Sequence, residues 1–173
     1  MDFKDTSEEA TFRKEVDKWL SDNAELKEGP NDSLSSLTEE EALLRAKEWA
    51  AKLYDDGWAC LHWPKEYGGR GSTPIERVIW GQEVSKYKVP GGFFEIGQGM
   101  AGPVLMMYAT EEQKKRFLPP LAKGEEVWCQ LFSEPGAGSD LAGLKTKSVL
   151  EGDTWTINGQ RIWTSGAHYS DCL

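Results

Sequence analysis

The feature that most constrains this chain is a change of hydrophobic period near residue 125. Before it, apolar residues recur at helical spacing behind repeated Thr-x-x-Glu/Gln signatures; after it, they gather in short β-prone runs. The first half must therefore bury helix faces, and the second must find strand partners.

Thr6 and Glu9 have capping-box spacing, and Phe12, Val16 and Leu20 follow at i, i+4 and i+8. This predicts a helix over about 6–23. Thr38 and Glu41 repeat the box ahead of a stripe of Leu43, Ala46, Ala50 and Leu53, with Gly57 placed as a left-handed cap. Thr73-Pro74-Ile75-Glu76 opens a third helix with proline in its first turn, expected to run to about Tyr87. Thr110 and Gln113 open a further one, which Pro119 and Pro120 are expected to stop. Residues 25–36, rich in Gly, Pro, Asn and Ser, read as a loop, and 63–71 (WPKEYGGRG) as irregular. The expectation is a helical bundle whose apolar faces include Phe12, Leu20, Leu43, Leu53, Val78 and Leu105.

Residues 127–133, 145–150, 154–157 and 160–164 read as strands, and Asn158-Gly159 between the last two is a strong hairpin signal. Three or four strands with an open edge are too few to close a barrel. The expected fold class is thus α+β: an α-helical domain over 1–124, then the first strands of a β-barrel-like middle domain over 125–173, with further chain needed to complete it.

Charge and cysteine usage exclude several functions. The net charge is −9, and residues 1–56 carry 16 acidic against 8 basic side chains, so no basic stripe is available for nucleic acid. Cys60, Cys129 and Cys172 are odd in number and scattered, with only His62 and His168 to assist, which fits neither a disulfide framework nor a metal site. The start is acidic, without a basic segment and apolar run, and no stretch approaches a membrane span. The expectation is a soluble, cytoplasmic protein with no membrane contact.

Two blocks carry chemistry. Residues 97–102 spell GxGxxG, but no strand leads in and Pro103 follows, so a flexible turn into a helix is expected rather than a dinucleotide fold. In Trp128-Cys-Gln-Leu-Phe-Ser-Glu-Pro-Gly-Ala-Gly-Ser-Asp140, a strand delivers Ser133 to a turn where Pro135, Gly136 and Gly138 let the backbone approach a ligand. A second strand ends in Trp163, Thr164 and Ser165, joining a large π-surface to hydroxyl and amide donors, as a flat heteroaromatic ring requires.

At this spacing the blocks resemble the acyl-CoA dehydrogenase family across the whole chain. SEPGAGSDLAGLKT is similar to its TEPGAGSD flavin signature and INGQRIWTSGA to its NGxKxWITNA hairpin; WPKEYGG and ATEEQKKRFLPPLAKGE are similar to its helical landmarks. The resemblance implies FAD as cofactor and an acyl-CoA substrate, with electron-transfer flavoprotein or a similar acceptor and a homo-oligomeric state. It implies that Gln130, Leu131, Phe132 and Ser133 line the isoalloxazine edge, with Ser133 directed at N1 and O2. Trp163 then packs on the flavin beside Thr164, Ser165 bonds near N5 and O4, and Ser139 touches the thioester arm. Serine replaces the usual threonine at 133 and 165 and keeps the hydroxyl, whereas Gln130 replaces a common aromatic residue and alters the pocket wall. The reaction implied is α,β-dehydrogenation to the 2-enoyl-CoA. The catalytic carboxylate lies in the family's carboxy-terminal domain, so no catalytic residue is expected here and Glu134 holds a structural position. The alternative readings are a non-catalytic remnant or interaction subunit of the same fold, or a related acyl-CoA oxidase or flavin monooxygenase, which share these motifs.

Overall fold

The computed structural model describes residues 4–29, 32 and 36–172; the loop expected at 30, 31 and 33–35 lies outside the described residues. Packing divides the chain into two units, 1–126 and 127–173.

The first unit is helical, with α1 (Ser7–Asn23), α2 (Glu39–Asp55), α3 (Pro74–Val84), α4 (Gly102–Tyr108) and α5 (Glu111–Lys123). Thr6, Thr38, Thr73 and Thr110 each accept from the third helical amide, and Glu9, Glu41, Glu76 and Gln113 each accept from the cap amide. Each box satisfies two of the donors a helix start leaves orphaned, a cap being worth about 1 kcal/mol. Phe12, Val16 and Leu20 of α1 pack with Ile79 of α3, Trp58, Leu61 and Tyr87 into the core. Trp58 and Trp80 stack at 5.0 Å, and the Arg70 guanidinium sits 4.0 Å from the Trp58 ring centre. Glu83, 2% exposed, faces the same unit. Burial works to raise its pKa, but the bonds from Lys86 and from Arg13 at 2.7 Å outweigh it and leave the carboxyl below its ordinary value.

The structure corrects several expectations. Val78 is 51% exposed; α3 turns Ile79 and Glu83 inward, and one residue along a helix is about 100° of rotation. The other expected face residues agree with the reading: Phe12 and Leu20 are buried, and Leu43, Leu53 and Leu105 half-buried. Helix α3 ends at Val84, because Tyr87–Lys88 (β2) pairs antiparallel with Glu25–Leu26 (β1), a short strand inside the expected loop. A 3-10 turn at Lys65–Tyr67, ended by Gly68 at φ 87°, sits inside the segment read as irregular. Helix α5 runs through both prolines. An interior proline costs about 3 kcal/mol, but the carbonyls left without donors belong to exposed Lys115 and Arg116, where water can serve them. Leu118, Leu121 and Ala122 are fully buried in return, each leucine being worth about 1.5–3 kcal/mol.

The GxGxxG segment is not a flexible turn. It forms a π-helical turn, Gly97–Ala101, running into α4. The turn is held against Trp63, fully buried, whose Nε1 donates to the Gln98 carbonyl at 3.1 Å. A Cβ on Gly102 would lie 2.1 Å from the Trp63 ring, so the glycine serves packing.

The second unit carries one hairpin, β3 (Lys147–Glu151) with β4 (Thr154–Asn158), in register Leu150↔Trp155 and Lys147↔Asn158. The turn is at Gly152-Asp153, with Gly152 at φ 62°, as a two-residue turn opened by glycine needs, and not at Asn158-Gly159. Gly159 has a different reason: a Cβ there would lie 2.1 Å from the Thr146 hydroxyl. The run expected as a strand at 127–133 is not one. It is tied at its ends, through a parallel bridge of Trp128 with Cys172 and a bond from the Ile162 amide to the Ser133 carbonyl at 2.9 Å. Residues 160–164 form no strand either, since Trp163 at φ 55° breaks the extended course.

Two glycine substitutions should therefore act with opposite signs. Gly102→Ala gains up to about 1 kcal/mol of helix propensity but must displace Trp63, and overpacking of about 1–3 kcal/mol should win. Gly81 is exposed on α3, and a Cβ added there would meet nothing within 4 Å, so alanine should gain about 0.5–1 kcal/mol. Urea unfolding of both variants checks the pair, and equal midpoints would refute the packing account.

Candidate functional site

The site is built around a buried carboxylate. Glu134, 6% exposed, accepts from the Lys145 amide at 2.8 Å and the Thr146 amide at 2.9 Å. Its own amide and carbonyl close a tight turn with Ala137, at 2.9 and 3.1 Å. Arg161 stands 3.5 Å from the carboxylate and donates from Nη1 to the Phe132 carbonyl at 2.7 Å. The adjacent Thr146 hydroxyl, the two amides and Arg161 hold the Glu134 carboxyl down at about 2. The hydroxyl has no well-aligned partner, so the amides are its firmer support.

These contacts bring two of the predicted segments together. Arg161 meets Phe132, and Ile162 meets Ser133, so the ends of the two motifs lie side by side. Phe132 is 73% exposed and Trp163 86% exposed, and Trp163 holds a left-handed backbone that costs a bulky residue about 1–3 kcal/mol. Gln130, Leu131, Ser133 and Thr164 are half-buried, and Ser165 is exposed. The Thr164 carbonyl closes a turn by accepting from Ala167 at 3.3 Å. Ser139 is exposed beyond the Glu134 turn, its carbonyl accepting from Leu141, and no described bond joins it to the other predicted residues. Arg161 and the paired amides of Lys145 and Thr146 are what sequence reasoning missed. The available signal was opposite charge in the two motifs, at Glu134 and Arg161.

The donor set suits a flat, polar-edged ring. Two large apolar faces are presented to solvent, and the hydroxyls of Ser133 and Ser165 make no hydrogen bond among the described residues. No helix among the described residues is long and apolar enough to cross a membrane.

Comparison with known proteins identifies the class. The acyl-CoA dehydrogenase N-terminal domain matches residues 6–125 and the middle domain of the same family matches 129–173. The chain belongs to the acyl-CoA dehydrogenase family. It is 42% identical to acyl-CoA dehydrogenase IpdE1 of Mycobacterium tuberculosis over 92% of this chain and 42% of that protein. Among solved structures it resembles the Tcur3481-Tcur3483 steroid ACAD, with TM-score 0.70 and 33% identity over 99% of this chain and 43% of that one. It also resembles an acyl-CoA dehydrogenase from Bacillus anthracis complexed with FAD, with TM-score 0.62 and 26% identity over 96% of this chain and 28% of that one. The chain thus spans less than half the length of these relatives.

The lowered Glu134 pKa fixes a direction with pH. A carboxyl that titrates near 4.5 when unfolded and near 2 when folded stabilises the fold fully above about pH 4.5, and that contribution is lost as pH falls through 2. A carboxyl-carbon NMR titration should place the Glu134 midpoint near 2. A midpoint at or above its ordinary value would remove the clamp.

Proposed function

We propose that this chain supplies the flavin-facing part of an FAD-dependent acyl-CoA dehydrogenase, which takes the α,β-hydrogens from an acyl-CoA thioester to give the 2-enoyl-CoA. The observation that carries the reading is the meeting of Phe132-Ser133 with Ile162-Trp163: the Ile162 amide donates to the Ser133 carbonyl at 2.9 Å, and the next residue, Trp163, is 86% exposed. Bound FAD would supply the acceptor for the β-hydride.

The residues of this chain then bind and orient. Trp163 offers its ring face to the isoalloxazine, and Phe132 adds apolar surface at its edge. The Ser133 hydroxyl and amide would offer donors to the polar edge of the bound flavin, and donors fixed there would favour its reduced, more negative form. Gln130 and Leu131 continue that edge; Thr164 and Ser165 serve the N5 and O4 side, and Ser139 the thioester arm. The α-proton goes to a carboxylate outside these residues. An electron-transfer flavoprotein or similar acceptor re-oxidises the holoenzyme, which is a homo-oligomer in the cytoplasm. The steroid ACAD among the similar structures favours a bulky acyl group as one substrate class to include in a panel.

The test compares the chain of residues 1–173 with the same chain joined to a carboxy-terminal half such as its relatives carry. Bound flavin is read from visible absorbance and turnover from an artificial electron acceptor with straight-chain, branched and steroid-bearing acyl-CoA thioesters. The shorter form should hold little FAD and turn over nothing, because an open flavin keeps much of its surface in water and loss of a general base alone costs about 10²- to 10⁴-fold. The longer form should do both. Robust turnover by residues 1–173 alone, or no flavin in either form, would overturn the proposal.

A further inference from the structure

Arg161 belongs to neither motif's recognised ligand set, yet it is the side chain through which they meet. Its Nη1 donates to the Phe132 carbonyl at 2.7 Å and faces the buried Glu134 carboxylate at 3.5 Å. One residue on, the Ile162 amide donates to the Ser133 carbonyl at 2.9 Å, and one further on Trp163 sits in its left-handed conformation, almost fully exposed. Glu134 is itself anchored from the other side by the Lys145 and Thr146 amides, so it cannot follow Arg161 if Arg161 moves. A chain of bonds therefore runs from the start of β3 through Glu134 and Arg161 to the carbonyls of residues 132 and 133.

We infer that Arg161, backed by Glu134, is a positioning residue that fixes the Phe132-Ser133 backbone against Ile162-Trp163 and so sets the orientation of both flavin-facing groups. The inference rests on the flavin reading proposed above. Because a trans peptide points its C=O and N–H to opposite sides, holding the Phe132 carbonyl on Arg161 turns the Ser133 amide the other way, where the flavin reading needs a donor. A guanidinium suits the task because its planar fork can serve a carbonyl and a carboxylate together; a lysine ammonium is a point donor without that geometry.

The test uses the holoenzyme with Arg161→Gln, Arg161→Lys and Glu134→Gln. Two readouts are taken: hydrogen exchange of the Ile162, Lys145 and Thr146 amides in FAD-free protein, and FAD affinity by titration of that protein. Arg161→Gln should reduce Ile162 protection and weaken FAD about tenfold or more, the scale of one lost charge-assisted bond, while leaving the Lys145 and Thr146 amides protected and the thermal midpoint within a few degrees. Arg161→Lys should recover part of the affinity, and Glu134→Gln should expose the Lys145 and Thr146 amides and weaken FAD as well. FAD affinity within about twofold of the parent in Arg161→Gln, at unchanged fold, would overturn the inference, as would a loss that merely tracks a fall in thermal midpoint across all three variants. A parent holoenzyme that takes up no FAD would overturn the flavin reading and this inference together, whereas normal FAD uptake with indifferent Arg161 variants would sink the inference alone.

Discussion

A carboxylate buried beside a turn is tolerated only when nearly all of its lone pairs are engaged, and the second unit is organised around that requirement at Glu134. Two consecutive amides, an adjacent hydroxyl and a guanidinium converge on it. Their convergence fixes where the chain enters β3, how tightly residues 134–137 turn, and where Arg161 stands. The proline and glycines at 135, 136 and 138 are compatible with this because the turn is held by Glu134 and not by its own composition. A single β-hairpin is marginal in water on its own, so anchoring through Glu134 is what gives the β3 start a defined place.

The helical unit depends on a comparable constraint of the opposite polarity. Trp63 is wholly buried but brings an N–H with it, and the Gln98 carbonyl accepts that N–H. Gln98 in turn donates from its side chain to the Leu121 carbonyl at 3.0 Å, which links the π-helical turn to the last turn of α5. Gly102 is held against the indole, where a Cβ would come within 2.1 Å of the ring, and Gly69 against the Trp63 backbone, where a Cβ would come within 2.2 Å of its carbonyl oxygen. The π turn and the end of α5 are thus joined by a side-chain bond as well as by packing.

Helix starts were legible in the sequence because a capping box is local: four residues contain both the donor and the acceptor. Thr6, Thr38, Thr73 and Thr110 all cap where the spacing places them. Helix ends were less legible, since Tyr87 leaves α3 to pair with Leu26, and Pro119 and Pro120 stay helical for the burial of Leu118 and Leu121. Such pairings join residues far apart in sequence, which no window can weigh. The hairpin shows the same limit in miniature. Asn158-Gly159 and Gly152-Asp153 are both turn-prone, and the choice between them follows from the strand register and from Thr146 lying against Gly159. At the candidate site, motif spacing singled out the segments ending in Ser133 and Trp163, whose backbones the structure brings together, whereas the charges of Glu134 and Arg161 acquired a reason only through their contacts.

Those contacts also decide what Glu134 does not do. A carboxylate next to a loop proposed to face a flavin is an obvious candidate for removing the α-proton of a thioester, and geometry and acidity both speak to it. A general base needs a free lone pair aimed at the substrate and a pKa near the working pH. Glu134 has each oxygen bonded by a backbone amide, one of them also facing Arg161, and only 6% of its surface is open. Its conjugate acid forms only near pH 2, so at neutral pH a proton transferred to it would be returned far more readily than retained. The interactions that make Glu134 a good anchor are the ones that disqualify it as a base. On the function proposed above, the base would then be a carboxylate with an unoccupied oxygen, and Glu134 would serve only to hold the turn and Arg161 in place.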